Sequence, residues 1–234
     1  MKHAALISTL AGCVLAICAG CQQETVTPVK VNHYMDSWRD LHQLKRVCFV
    51  EIAEDIRYPS VARSMTSSLH QEIQNAGLFH MTVMQRDDPV VWDLGLSEPR
   101  RYSMDEMARI RRTLNCDGVL FGRIVDAEFY PHTKITLHLV LLDLKKGRVG
   151  WAVDDTWDIR DEQMQARMVQ WVCRAEAGHS APDSLEIARM SPRIFQRFVA
   201  WEVAKTMAPP RSDRAQLVKY RQRLELYDML ENGL

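Results

Sequence analysis

Three β-rich apolar runs follow one another with only short turns between them, and this arrangement constrains the fold more than any other feature of the chain. CDGVLFGRIVDAEFY reads as a strand from about Val119 to Tyr130, and Pro131 and His132 turn it into KITLHLVLLDL, residues 134–144. KKGR then leads into VGWAVDDTWD, residues 149–158. Apolar and polar side chains alternate through these runs, the pattern of strands with one buried face. Connections this short cannot carry a parallel crossover, so the three strands must form an antiparallel meander.

Upstream the pattern changes. RVCFVEIA, residues 46–53, is a short apolar run of β-formers. After EDIRYP, Ser60 opens a helix whose Val61, Met65, Leu69, Ile73 and Ala76 recur at near-helical spacing up to Gly77. LFHMTVMQ, residues 78–85, is a second strand, so the segment reads as a βαβ unit and the sheet is mixed. A longer loop is expected from Arg86 to Tyr102. Ser103 and Glu106 then form a capping box for a helix with Met107, Ile110 and Leu114 on its buried stripe and Arg109, Arg111 and Arg112 on the other face. The expected order is β-α-β-α-β-β-β, an α/β domain over residues 38–160.

Residues 161–234 read as a helical C-terminal region. Met164, Met168, Trp171, Val172 and Ala175 share a face, and GHSAPDS is a linker. Ser191-Pro192 is an N-cap followed by Pro at the first helical position. Ile194, Phe198, Val199, Trp201 and Met207 mark an apolar helix stopped by Pro209-Pro210. The charged segment from Ser212 to Glu231 places Leu217, Tyr220, Leu224 and Tyr227 along one stripe, a candidate partner-binding face; packing back on the same domain is the alternative.

The N-terminus fixes the compartment. Met1 and Lys2 precede a largely apolar stretch from Ala4 to Ile17, and Ala19 and Gly20 come before Cys21, as in a secretory signal peptide too short to span a bilayer. The C-A-G-C end at Cys18 to Cys21 resembles the bacterial lipobox, in which the final Cys is acylated and becomes the new N-terminus, although Cys18 stands where Leu is usual. L-A-G-C ending at Cys13 is the alternative, with an apolar run of only about nine residues. A redox or zinc C-x-x-C would need a folded strand and helix beside it and, for zinc, a second ligand pair. Residues 1–20 are therefore read as the lipoprotein signal and 21–37 as a flexible tether, with Cys21 the lipidation site. Several acyl chains anchor stably, each buried methylene adding about 0.8 kcal/mol.

Cleavage would leave Cys48, Cys116 and Cys173 besides the anchor. An odd number in apolar stretches suggests buried free thiols rather than a disulfide framework, with one pairing left open in an oxidising compartment. Loss of Lys2 leaves one fewer cation than the 30 Asp plus Glu, so no global field favours nucleic acid.

Chemistry is sparse. G-x-S-x-G, Walker A, H-E-x-x-H and G-x-G-x-x-G motifs are missing, and the eight histidines are scattered without ligand spacing, so neither a cofactor nor a metal is expected. Asp154, Asp155, Asp158, Asp161 and Glu162 could be imagined as a hydrolase's acid pair or a divalent-cation site, but nothing fixes a second carboxylate geometry, and a solvated strand end and helix N-terminus are the better account of them. Arg100, Arg101, Arg109, Arg111 and Arg112 form the densest basic patch, where an acidic partner or phosphate groups could dock, although a solvated helix face is the simpler reading; Arg109 and Arg112 are the candidate contacts.

The meander carries a resemblance. Asp117-Gly118 and Gly122 open one strand; Leu141 and Asp143 end the next, before a Gly147 turn and Trp151. This looks like the core of a group of bacterial envelope lipoproteins that includes the curli-secretion lipoprotein CsgG, the penicillin-binding-protein activator LpoB and the related N-terminal domain of TolB. The resemblance covers roughly residues 45–158. It implies a three-layer α/β domain with helices packed on a mixed sheet, and a non-enzymatic protein that binds partners or oligomerises. Asp143 can bond the turn backbone, Gly147 can supply a positive φ and Trp151 can pack on the sheet, so these residues carry architecture and not an active site. A pore would need further hairpins with strands of about 9–11 residues, and the chain has no spare pair.

The reading is a non-catalytic, membrane-anchored envelope lipoprotein that binds another envelope protein or itself. Gln22 after Cys21 resembles an outer-membrane sorting signal, which places the domain at the periplasmic face of that membrane. The alternatives are an oligomeric component of a secretion or envelope complex and an envelope hydrolase.

Overall fold

The computed structural model describes residues 31–53, 59–97, 100–176 and 191–208. In chain order the elements are β1 (His33–Met35), α1 (Trp38–Leu41), β2 (Arg46–Val50), α2 (Pro59–Ala76), β3 (His80–Met84) and α3 (Pro89–Asp93). They continue with α4 (Met104–Leu114), β4 (Gly118–Glu128), β5 (Lys134–Asp143), β6 (Arg148–Asp158), α5 (Glu162–Glu176) and α6 (Pro192–Thr206).

The period-two runs become the three longest strands. β4 pairs antiparallel with β5 from Gly118–Asp143 to Glu128–Lys134, and β5 pairs antiparallel with β6 from Asp143–Arg148 to Lys134–Asp158. The βαβ unit places β2 parallel to both β3 and β4, with Val47 opposite Met81 on one side and Gly118 on the other. The sheet order is β1-β6-β5-β4-β2-β3. It is a mixed sheet with helices packed on it, an α/β fold.

Alternation sends one set of side chains to each face. Phe49, Leu120, Leu137, Leu139, Leu141, Trp151, Val153 and Trp157 meet α2, α5 and α6 through Leu69, Ile73, Met168, Phe198 and Val203. On the opposite face Cys48, Val50, Val119 and Phe121 meet Val91 of α3 and Met107 and Ile110 of α4. Close approach is needed where β4 passes under the loop after β2: a Cβ at Gly122 would stand 2.7 Å from Leu139 Cδ2 and 2.9 Å from Ile52 Cγ1. Glycine removes that overlap.

Three features differ from the sequence expectation. The stretch read as tether up to residue 37 contains β1, which pairs antiparallel with β6; Val31 is buried, and the Asn32 amide N–H donates to Asp155 Oδ2 at 2.9 Å. An unpaired β6 edge would leave its backbone groups without partners, and a three-residue strand is too short to show a period. The loop from 86 to 102 contains α3, opened by Asp88, whose Oδ1 accepts from Val90 N–H at 2.8 Å, and by Pro at the first turn. Residue 160 is also not a packing boundary, because α5 and α6 share one core with the sheet and α2.

That shared core encloses a charged network. Glu202 of α6 has no exposed surface, and its carboxylate accepts from Arg167 Nε at 2.6 Å and from Trp157 Nε1 at 2.8 Å. Trp151 Nε1 donates to Thr206 Oγ1 at 3.0 Å. The two tryptophans of β6 therefore each reach a polar partner on α6, which sets the register of that helix on the sheet. Removing one member of a buried pair leaves the other charge uncompensated. Glu202→Ala is expected to destabilise the protein by about 3–5 kcal/mol in urea unfolding, with Arg167 and the Trp157 indole N–H both left without their acceptor.

Candidate partner-binding cleft

α4 begins with the Ser103 capping box: Ser103 Oγ accepts from Glu106 N–H at 3.2 Å, and Glu106 Oε2 accepts from Ser103 N–H at 2.7 Å. A 2.8 Å bond from Arg100, together with the Ser103 bonds, holds the Glu106 carboxyl down to about 2. Met107 and Ile110 anchor the helix on the sheet, and Arg109, Arg111 and Arg112 face outward. Arg111 and Arg112 lie in the last turn, where cations complement the helix dipole. Asn115 then takes a left-handed φ of 48° and ends the helix.

The chain turns directly into β4, and the turn forms one wall of a cleft of about 540 Å³ lined by Arg46, Ala108, Arg111, Arg112, Asn115, Cys116 and Asp117. Arg46 of β2 donates from Nη2 to Asn115 Oδ1 at 2.7 Å. Asp117 points the other way. Its Oδ2 accepts from the backbone N–H of Lys45 at 2.8 Å and of Arg46 at 3.3 Å, while Oδ1 meets Lys145 Nζ at 2.7 Å. Burial acts to raise the Asp117 carboxyl, but the Lys145 and backbone hydrogen bonds outweigh it and hold the group below its ordinary value. The acid of the cleft is thus matched internally, whereas among the described residues Arg111 and Arg112 form no ion pair.

The structure separates the two candidate arginines. Arg112 faces the cleft, but Arg109 Nη2 pairs with Asp93 Oδ2 at 2.6 Å and fastens α3 to α4. Arg46 was not legible as a neighbour of Arg112, since only the parallel pairing of β2 with β4 brings it there. Leu217, Tyr220, Leu224, Tyr227 and Cys21 lie outside the described residues.

The turn residues hold the sheet. Asp143 Oδ1 accepts from the N–H of Lys145 at 2.8 Å and of Lys146 at 3.0 Å; Gly147 has φ +68°, and Trp151 is fully buried. The acids near the end of β6 have local partners. Asp155 binds Asn32, Asp158 pairs with Arg160, and Asp161 Oδ1 caps α5 through Gln163 N–H at 2.8 Å. Asp154 stands 3.7 Å from His138 Nδ1. Among the described residues no group of His, Cys, Asp and Glu could hold a metal ion, and no helix is long and apolar enough to cross a membrane.

No protein-family model matches the chain, and no curated protein matches it. Solved structures similar to it include PelC from Paraburkholderia phytofirmans, a dodecamer, at 17% identity over 49% of this chain and 71% of that one, with a TM-score of 0.36. Lipoprotein GNA1162 from Neisseria meningitidis is 12% identical over 57% of this chain and 97% of its own, with a TM-score of 0.36. LpoB from E. coli is 17% identical over 52% and 64%, with a TM-score of 0.35. LpoB belongs to the group that the sequence resembles; the wider grouping with CsgG and TolB is not shown by these structures. Similarities of this size say nothing about what the chain binds.

Asp117 offers a direct test of how the cleft is held. Asp117→Asn is expected to lower stability by about 1–3 kcal/mol, because a carboxylate serving three donors becomes a neutral amide. A depressed folded-state pKa stabilises above the unfolded value and is lost below it. The gap between wild type and variant in chemical unfolding should therefore be full at neutral pH and narrow as the pH falls below the ordinary aspartate value of 3.8.

Proposed function

We propose that this chain is a non-catalytic binding or assembly factor of the cell envelope, lipid-anchored through Cys21, and that its arginine cleft receives an acidic segment of an envelope partner protein. The observation that carries this reading is the pair Arg111 and Arg112 beside a cleft whose own acid, Asp117, is already matched by Lys145. Guanidinium groups bind carboxylates in a planar, two-point geometry that an ammonium cannot reproduce. A chain with equal formal positive and negative charge has no broad field to gather a polyanion, so the recognition is local.

Location rests on the sequence around Cys21. If the anchor is as read, mass spectrometry of the mature protein will find an acylated N-terminal Cys21, and Cys21→Ser will leave the signal uncleaved. An unmodified chain still starting at Met1 would contradict the reading.

The cleft is tested by charge reversal. Arg111→Glu with Arg112→Glu is expected to reduce capture of the partner, crosslinked and pulled down from native membranes, by at least about tenfold, since two attractive pairs become repulsive. The effect should be matched in wild type by raising the salt, because exposed pairs are screened beyond about 8 Å at physiological ionic strength. Both arginines are exposed, so the double variant should stay folded, its melt lowered only slightly by the loss of cations at the C-terminal end of α4. Undiminished capture by a folded double variant would overturn the assignment of the cleft.

A further inference from the structure

Helix α6 ends close to the arginine cleft. The carbonyl of Met207, at its last turn, accepts from the Nε2–H of the buried His42 at 3.1 Å. Lys45 stands three positions after His42, at most about 11 Å along the chain. Its N–H donates to Asp117 Oδ2 at 2.8 Å, and Asp117 lines the cleft. The residues after α6 therefore start from the end of the sheet where the arginines stand. Their sequence is unevenly charged. Arg211, Arg214, Lys219, Arg221 and Arg223 are accompanied by one acid, Asp213, whereas Leu224 to Leu234 hold three acids, Glu225, Asp228 and Glu231, and no cation. These acids recur at every third position, a spacing that sets carboxylates side by side on a helix. From Ala208 to Glu225 the chain reaches about 25 Å if wound into a helix and more than about twice that if extended, so either form brings the acids to the cleft. There Asp117 is matched by Lys145 and Arg46 is bonded to Asn115, which leaves Arg111 and Arg112 to receive carboxylates.

We propose that this chain's own acidic segment, Glu225–Glu231, occupies the arginine cleft while no partner is bound, with its carboxylates on Arg111 and Arg112. A partner's acidic segment then binds only by displacing it. Exposed arginine–carboxylate pairs are individually weak. A ligand carried on the same chain, however, acts at an effective concentration on the order of millimolar, so a weak contact is enough to fill the site. Isolated carboxylates in solution are thereby kept out, and a partner must bring several acids or further contacts of its own. This inference rests on the reading of the cleft as a carboxylate site, but not on the envelope partner or on Cys21. The two fail separately: capture from membranes by the charge-reversed variant bears on the partner, and occupancy of the cleft in purified protein, where no partner is present, bears on the segment.

The test places a photoreactive benzophenone side chain at Ala108, an exposed wall residue of the cleft. Purified full-length protein is irradiated at high dilution, digested with trypsin and mapped by mass spectrometry. The expected product joins the Ala108 position to peptide 224–234, which trypsin releases after Arg223, at a yield independent of protein concentration. Raising the salt should lower that yield, because exposed pairs are screened. A second measurement leaves the cleft untouched. The full chain with Glu225→Gln, Asp228→Asn and Glu231→Gln should bind fluorescent hexaglutamate at least about tenfold more tightly than wild type in fluorescence anisotropy, since the competing carboxylates are gone. Adding Arg111→Glu and Arg112→Glu should remove that gain. No crosslink to peptide 224–234, a yield that rises with concentration and so reports a second copy, or equal hexaglutamate affinity in wild type and the neutralised chain would each overturn the proposal.

Discussion

The parallel pairing of β2 with β4 is the contact on which the rest of the molecule depends. It joins the βαβ unit to the meander, and without it the chain would be a hairpin sheet and a separate fragment. Asp117 secures the join: one carboxylate takes the first two amides of the β2 entry and the Lys145 ammonium from the end of β5. Three strands are registered by one side chain. Because the same turn ends α4, it also decides where the cleft arginines stand.

The helical layer is fixed differently. Apolar matching puts α2, α5 and α6 on the sheet, yet many rotations of α6 would bury about the same area. The bonds from Trp157 to Glu202, from Arg167 to Glu202 and from Trp151 to Thr206 select one. A buried ion pair is a weak source of net stability, since desolvation of both charges offsets most of their attraction. Its effect here is specificity of placement, and disturbing it is costly because water cannot replace the missing partner.

Charge is handled oppositely at the surface. Acids near β6 and α5 bind neighbouring amides and arginines, as ordinary strand ends and helix caps do. At the cleft, by contrast, the acid is turned inward to Lys145 and the last-turn arginines are left facing solvent. An evenly charged chain can carry a local basic site only by such an arrangement. The binding role proposed for the protein follows from that asymmetry and not from any catalytic group.

The sequence by itself determined the meander, the βαβ unit, the capping box at Ser103 and the apolar stripes of α2, α4 and α5, since each is written in a local period or a local cap. It also marked the Asp143 turn, where side-chain and backbone atoms lie within a few residues of one another. It did not reveal β1 or α3, which are too short for a period and exist because a sheet edge and a loop needed hydrogen-bond partners. Only the tertiary structure decided that α6 belongs to the main core and that Arg109 and Arg112 have different neighbours. Those contacts join residues distant along the chain, and their geometry is set by strand order and helix docking, which no local pattern encodes.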